Sequence, residues 1–212
     1  MPASFYRFKR TKMESLSALK GATSWYSIAD ANDEPLFACH VVGSCLGGTT
    51  TFHETADEEE VLFRLDAKRK WLNLTYYVCE GASGPRIATL ELFASRGMKV
   101  SGPDGGEQYR VVDPQGKLDK FMQDVLEGAC GEYALVSDDR VIGQFGRRDR
   151  AEEARPTRKG LLGWVSRGLS KMLSRDWCVE LEDEGKGIDD HRPLLAGMIL
   201  MLEQTIANDQ AT

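Results

Sequence analysis

The sequence predicts a mainly β domain, a closed barrel or a sandwich of antiparallel hairpins, with one hydrophobic helix buried near its C-terminal end. Three observations predict it. Apolar residues alternate with polar ones through the first two thirds of the 212-residue chain, as they do when successive side chains point to opposite faces of a strand. Strand, Asp-containing turn and return strand recur as a unit, which is the pattern of a hairpin. Finally, the segment Leu194-Leu-Ala-Gly-Met-Ile-Leu-Met-Leu202 is apolar in nearly every direction around a helix axis. It is about half the roughly 20 residues that a bilayer-spanning helix needs, so such a helix belongs inside protein.

Each element has its own justification. Trp25-Tyr-Ser-Ile-Ala-Asp30 leads into a polar turn and returns through Pro35-Leu-Phe-Ala38, and Gly43 to Gly48 reads as a flexible hairpin loop. In Val61 to Asp66, Val61, Phe63 and Leu65 share one face and Arg64 and Asp66 the other. Trp71 opens the strand Leu72 to Val78, and Ala88, Leu90, Leu92 and Ala94 form one face of the next. Tyr109 to Asp113 is expected to return through Pro114 to Leu118, and Tyr133 to Asp138 through Asp139 to Gly143. Trp177, Val179 and Leu181 alternate with Cys178, Glu180 and Glu182. Such hairpins in series build meanders. The tryptophans, with Tyr76 and Tyr77, are assigned to the core, except for Trp164.

Two segments break the alternation. Between residues 157 and 175, Leu161, Leu162, Val165, Leu169, Met172 and Leu173 recur at helical spacing, with Arg167, Lys171 and Arg175 opposite. This predicts a basic amphipathic helix near 158–174, preceded by a connecting loop that ends at Pro156. The last helix is expected to be capped by Asp189 or Asp190 and to carry Pro193 in its first turn, where a missing N–H costs nothing.

Many short strands followed by one apolar C-terminal helix is an unusual order, and in it the chain resembles the tubby C-terminal-like superfamily, which includes phospholipid scramblases and plant LURP-one-related proteins. The resemblance rests on hairpins of the pattern Tyr-x-Val-x-Asp-x-x-Gly, best seen at Tyr109 to Gly116, and on the helix Pro193 to Leu202. It spans roughly Phe5 to Ile206. It implies one domain over residues 1–212, folded as a closed barrel of about twelve antiparallel strands threaded by the hydrophobic helix. The chain departs from scramblases in lacking a proline-rich N-terminal region, a cysteine cluster and a calcium-binding loop, so lipid scrambling ranks last among the functions considered.

Composition narrows the function. With 42% hydrophobic and 28% charged residues the chain is ordinary globular protein, and a net charge of -6 argues against nucleic acid as a partner. No apolar stretch follows the basic residues near the N-terminus, so the expectation is a cytoplasmic protein without a transmembrane segment, able to sit peripherally at a membrane. The cysteines at 39, 45, 79, 130 and 178 show no CxxC spacing and read as reduced thiols filling strands. Cys39 and His40 are strand neighbours and point apart, so no thiol–imidazole pair forms there, and His53 and His191 have no identifiable orienting group. The glycine-rich loop matches no nucleotide motif, and the acidic stretch from Glu180 to Asp190 lacks the ligand order of a calcium loop. The expectation is therefore a non-enzymatic protein without cofactor, metal or catalytic residues.

Charge is unevenly spread. Residues 147–175 hold nine Lys or Arg against three acids, +6, which leaves about -12 for the rest of a chain whose total is -6. A basic amphipathic helix with a tryptophan suits an anionic membrane surface. Arg158, Lys159, Arg167, Lys171 and Arg175 would meet anionic phospholipid headgroups while Trp164 enters the interface. The alternative is a protein–protein or homo-oligomerisation surface built from the same helix.

Overall fold

The structure is a computed structural model and describes residues 5–15, 22–43, 48–70, 73–93, 97–113, 133–148, 176–182 and 188–210. The basic segment predicted to be helical near 158–174, and with it Arg158, Lys159, Trp164, Arg167, Lys171 and Arg175, lies outside the described residues. So do the return strand expected at Pro114 to Leu118, Trp71, Cys45 and Cys130.

Twelve strands close into one antiparallel barrel. They are β1 (Phe5–Ser15), β2 (Ala22–Ala29), β3 (Pro35–Val42), β4 (Thr49–His53), β5 (Phe63–Lys70), β6 (Asn73–Glu80), β7 (Arg86–Phe93), β8 (Gly97–Ser101), β9 (Glu107–Val112), β10 (Tyr133–Ser137), β11 (Arg140–Arg148) and β12 (Asp176–Leu181). Each strand pairs with its neighbours in sequence. β1 and β12 complete the circle, with Phe5 opposite Glu180 and Phe8 opposite Trp177. Closure leaves none of these twelve strands with an unpaired edge to recruit another chain.

The hairpin chemistry read from the sequence operates at two turns. Asp30 accepts hydrogen bonds from the backbone N–H groups of Asn32 and Glu34 at 2.8 and 2.9 Å, reversing the chain between β2 and β3. Between β10 and β11 the two residues Asp138 and Asp139 both have positive φ, 46° and 60°. That is the backbone of the two-residue hairpin turn whose twist matches that of the strands.

Eight strands enclose a bore that their own side chains can fill, and twelve enclose a wider one. The wider bore is occupied here by α1 (Arg192–Gln210). Every residue from Pro193 to Leu202 is buried. Ten consecutive buried residues span nearly three turns, so the helix meets protein on all sides. Leu194, Leu195, Met198, Ile199, Leu200, Met201 and Leu202 join one core with Tyr6, Phe8, Tyr26, Phe52, Phe63, Leu90, Tyr109, Phe145, Trp177 and the other inward strand residues. Burying each such aliphatic side chain contributes roughly 1.5–3 kcal/mol. Gly197 lets the helix approach the wall, because a Cβ there would collide with the Met98 methyl carbon.

Two assignments need correction. Trp25 and Tyr77 are not core residues. Each alternates with fully buried neighbours, Tyr26 and Tyr76, and therefore faces outward. Both are half-buried because cations cover them: Lys12 Nζ lies 4.8 Å from the Trp25 ring centroid, and Tyr77 has Lys68 and Arg86 at 5.1 and 5.2 Å. Cation–π contacts thus do on the wall what packing does inside.

Candidate functional site: the two ends of the barrel

An antiparallel barrel sorts its connections alternately to its two ends. The proximal end, where α1 begins, carries the connections β2–β3, β4–β5, β6–β7, β8–β9, β10–β11 and β12–α1. Among the described residues these connections contain acids and no Lys or Arg; the β4–β5 connection alone has Glu54, Asp57, Glu58, Glu59 and Glu60. The distal end carries β1–β2, β3–β4, β5–β6, β7–β8, β9–β10 and β11–β12. The basic stretch 147–175 is rooted there, since Arg148 and Asp176 face each other at the ends of β11 and β12. Lys12, Lys68, Arg69 and Lys70 also lie in the distal parts of β1 and β5.

At the proximal end α1 is fastened to the wall. Asp190, not Asp189, receives the Arg192 backbone N–H at 2.9 Å and three contacts from the Arg192 guanidinium. The guanidinium also reaches Glu80 at 3.3 Å. Burial works against the charge on Asp190, but the hydrogen bonds from Arg192 prevail and hold its carboxyl below the usual aspartate range. His191, 8% exposed, bonds through Nδ1 to the Tyr6 hydroxyl at 2.5 Å, while its Nε2 is buried with no partner among the described residues. Burial lowers its pKa, opposed by the Ile188 carbonyl and by Asp190. The Tyr109 hydroxyl is likewise buried and unpartnered among the described residues, and burial pushes its pKa up.

Deeper in the bore the Tyr26 hydroxyl donates to the Glu203 carboxylate, tying the upper part of α1 to β2. Cys39 lies fully buried in the same region, its thiol pushed well up by burial and then by Glu203, which makes it an inert core residue. His40 points the other way and stacks on Trp25 at 4.8 Å, as strand alternation requires. His53 is held on the wall by the Glu60 carbonyl and the Thr51 hydroxyl, both at 2.9 Å. No three described His, Cys, Asp or Glu side chains converge to hold a metal ion, and no described helix is long and apolar enough to cross a membrane.

Two residues missed by the sequence reading stand out. Val42 and Phe93 are the large hydrophobic residues left exposed among the described ones, at 41% and 40%, and both close strands at the distal rim. Their residue types do not distinguish them from the buried Val41 and Leu90 of the same strands. The pattern of alternation shows which face they take, but their shared end needs the full strand order. No family model, curated protein or solved structure matches this chain.

Proposed function

We propose that this protein is a non-enzymatic binding module that associates with anionic phospholipid at a membrane surface, distal end first, through the basic segment containing Arg158, Lys159, Trp164, Arg167, Lys171 and Arg175. The observation that carries this reading is the separation of charge by barrel end. A net charge of -6 would repel an anionic surface if it were spread evenly. Here five of the six proximal connections contain acids and none of their described residues is Lys or Arg, whereas the basic stretch, +6 over residues 147–175, springs from the opposite end, where it outweighs the net -3 of residues 113–132. An axial helix of 19 residues is about 28 Å long, several times the Debye length of about 8 Å at physiological ionic strength. The acids are thus screened from a surface that the distal end touches. Each Lys or Arg near such a surface adds about 1 kcal/mol.

A closed twelve-stranded barrel about a hydrophobic C-terminal helix is also the fold that resemblance to the tubby C-terminal-like superfamily implies, and it supports placing the chain there. A filled bore directs recognition to the rims and the outer wall.

Co-sedimentation with phosphatidylserine-containing vesicles tests the reading. Binding should be strongest at low salt and be lost when Arg167, Lys171 and Arg175 are changed together to Glu. Absence of wild-type binding at low salt, or binding unaffected by the triple change, overturns it. Concentration-dependent self-association in light scattering, abolished by Leu169→Asp, would instead favour a protein-docking role for the same segment.

A further inference from the structure

We propose that an arc of the distal rim formed by the ends of β3, β5 and β7 is a second, barrel-borne contact with the anionic bilayer, in which Val42 and Phe93 enter the interface and the end of β5 holds the headgroups. The proposal rests on the lipid reading above but uses other residues.

Three features converge on this arc. First, Val42 and Phe93 are the exposed large hydrophobic residues among those described, and each stands on the outer face at the last position of its strand. Single exposed apolar residues are common on any protein; two on one rim are informative because of what lies between them. Second, β5 stands midway between β3 and β7 in the barrel order and ends at this rim in Lys68-Arg69-Lys70. At about 4.8 Å per strand the arc from β3 to β7 measures about 19 Å, with the basic end of β5 near its centre. Third, Asp66 and Glu91, the acids of β5 and β7 nearest this arc, each have a basic neighbour. Asp66 is bonded to Arg64 at 2.9 and 3.0 Å, and Glu91 lies two residues below Phe93 in register with Lys99.

Apolar tips flanking a cationic centre fit one kind of partner, a bilayer with anionic headgroups. Apolar groups gain from leaving water at the acyl boundary while lysine and arginine remain among the phosphates. The acidic proximal end faces away and leaves this geometry undisturbed.

Equilibrium partitioning onto vesicles of phosphatidylcholine and phosphatidylserine tests the arc. Val42→Asp and Phe93→Asp should each weaken partitioning about tenfold. Lys68→Glu changes two charge units, at roughly fivefold each, for a loss of about 25-fold. Phe93→Trp should bind at least as well as wild type, since indole suits the interface, and Glu58→Lys at the proximal end should leave binding within about twofold of wild type. All these positions are exposed, and unchanged far-UV circular dichroism verifies folding. If wild type binds and the Arg167, Lys171 and Arg175 reversal abolishes binding while Val42→Asp and Phe93→Asp bind as wild type does, the arc is refuted and the lipid reading stands. If wild type binds no anionic vesicle, both fall.

Discussion

A helix packed against protein on every side makes a demand that no surface helix makes: truncation must be costly in all directions around its axis. Leu194, Leu195 and Leu200 are 0%, 1% and 2% exposed. At about 100° per residue they point along directions near 0°, 100° and 240°, which divide the circumference into roughly equal parts. Each Leu→Ala substitution removes buried methyl groups and leaves a cavity, because twelve strands joined in a closed circle cannot collapse freely onto it. The expected loss is about 2–5 kcal/mol at each site. For a domain of this size, at roughly 2–4 °C per kcal/mol, that is a drop in melting temperature of about 4–20 °C. Urea unfolding followed by tryptophan fluorescence measures it, because Trp177 lies in the core and reports its opening. The midpoint should fall in all three variants with the urea slope unchanged. If any one of the three costs less than about 0.5 kcal/mol, that side of the helix faces water and the threaded barrel is wrong.

Other predictions follow from polar groups. Tyr6→Phe removes the partner of His191 Nδ1 and should cost about 1–3 kcal/mol, whereas Tyr109→Phe removes a buried hydroxyl with no partner among the described residues and should be neutral or stabilising in the same assay. His191 titrates below its unfolded value because burial opposes its charge. The stability linked to it is fully present above the unfolded pKa of about 6.5 and is lost as the pH falls from there through the folded value. The urea midpoint should therefore decline on acidification over that range, and His191→Gln should flatten the decline. At the β10–β11 turn, changing Asp138 and Asp139 together to Asn and Gly supplies the residues that best tolerate the positive φ found there. The double variant should gain about 0.5–1 kcal/mol, read from its melting temperature.

Legibility differed by element for physical reasons. The start of β7 was plain because one face is wet and one buried, and a two-residue period records that directly; β12 alternates in sequence as well, although Asp176 and Cys178 on its outer face are also buried. β1 was overlooked: Tyr6 and Phe8 face the core, but Arg7, Lys9, Arg10 and Lys12 dominate its composition. β4 and β8 have only five residues each, too few for a period to emerge. Trp25 and Tyr77 were misplaced because the cations that cover them come from other strands. Of the proposed lipid contacts, the basic segment was legible as composition, whereas Val42 and Phe93 could be found only on the folded wall.

Taken alone, the sequence determined the local matters: which residues alternate, where Asp30 and the Asp138–Asp139 pair reverse the chain, and that the segment from Pro193 to Leu202 must avoid water. These follow from backbone periodicity, turn chemistry and hydrophobicity, each read over a few neighbouring residues. The tertiary structure decided the closure of β1 on β12, the fastening of α1 through Asp190, Arg192 and Glu80, and the emergence of the basic connection at the end opposite the β4–β5 acids. Those depend on pairings between residues far apart in the chain, and the end at which a loop emerges is defined only when every strand before it has been counted.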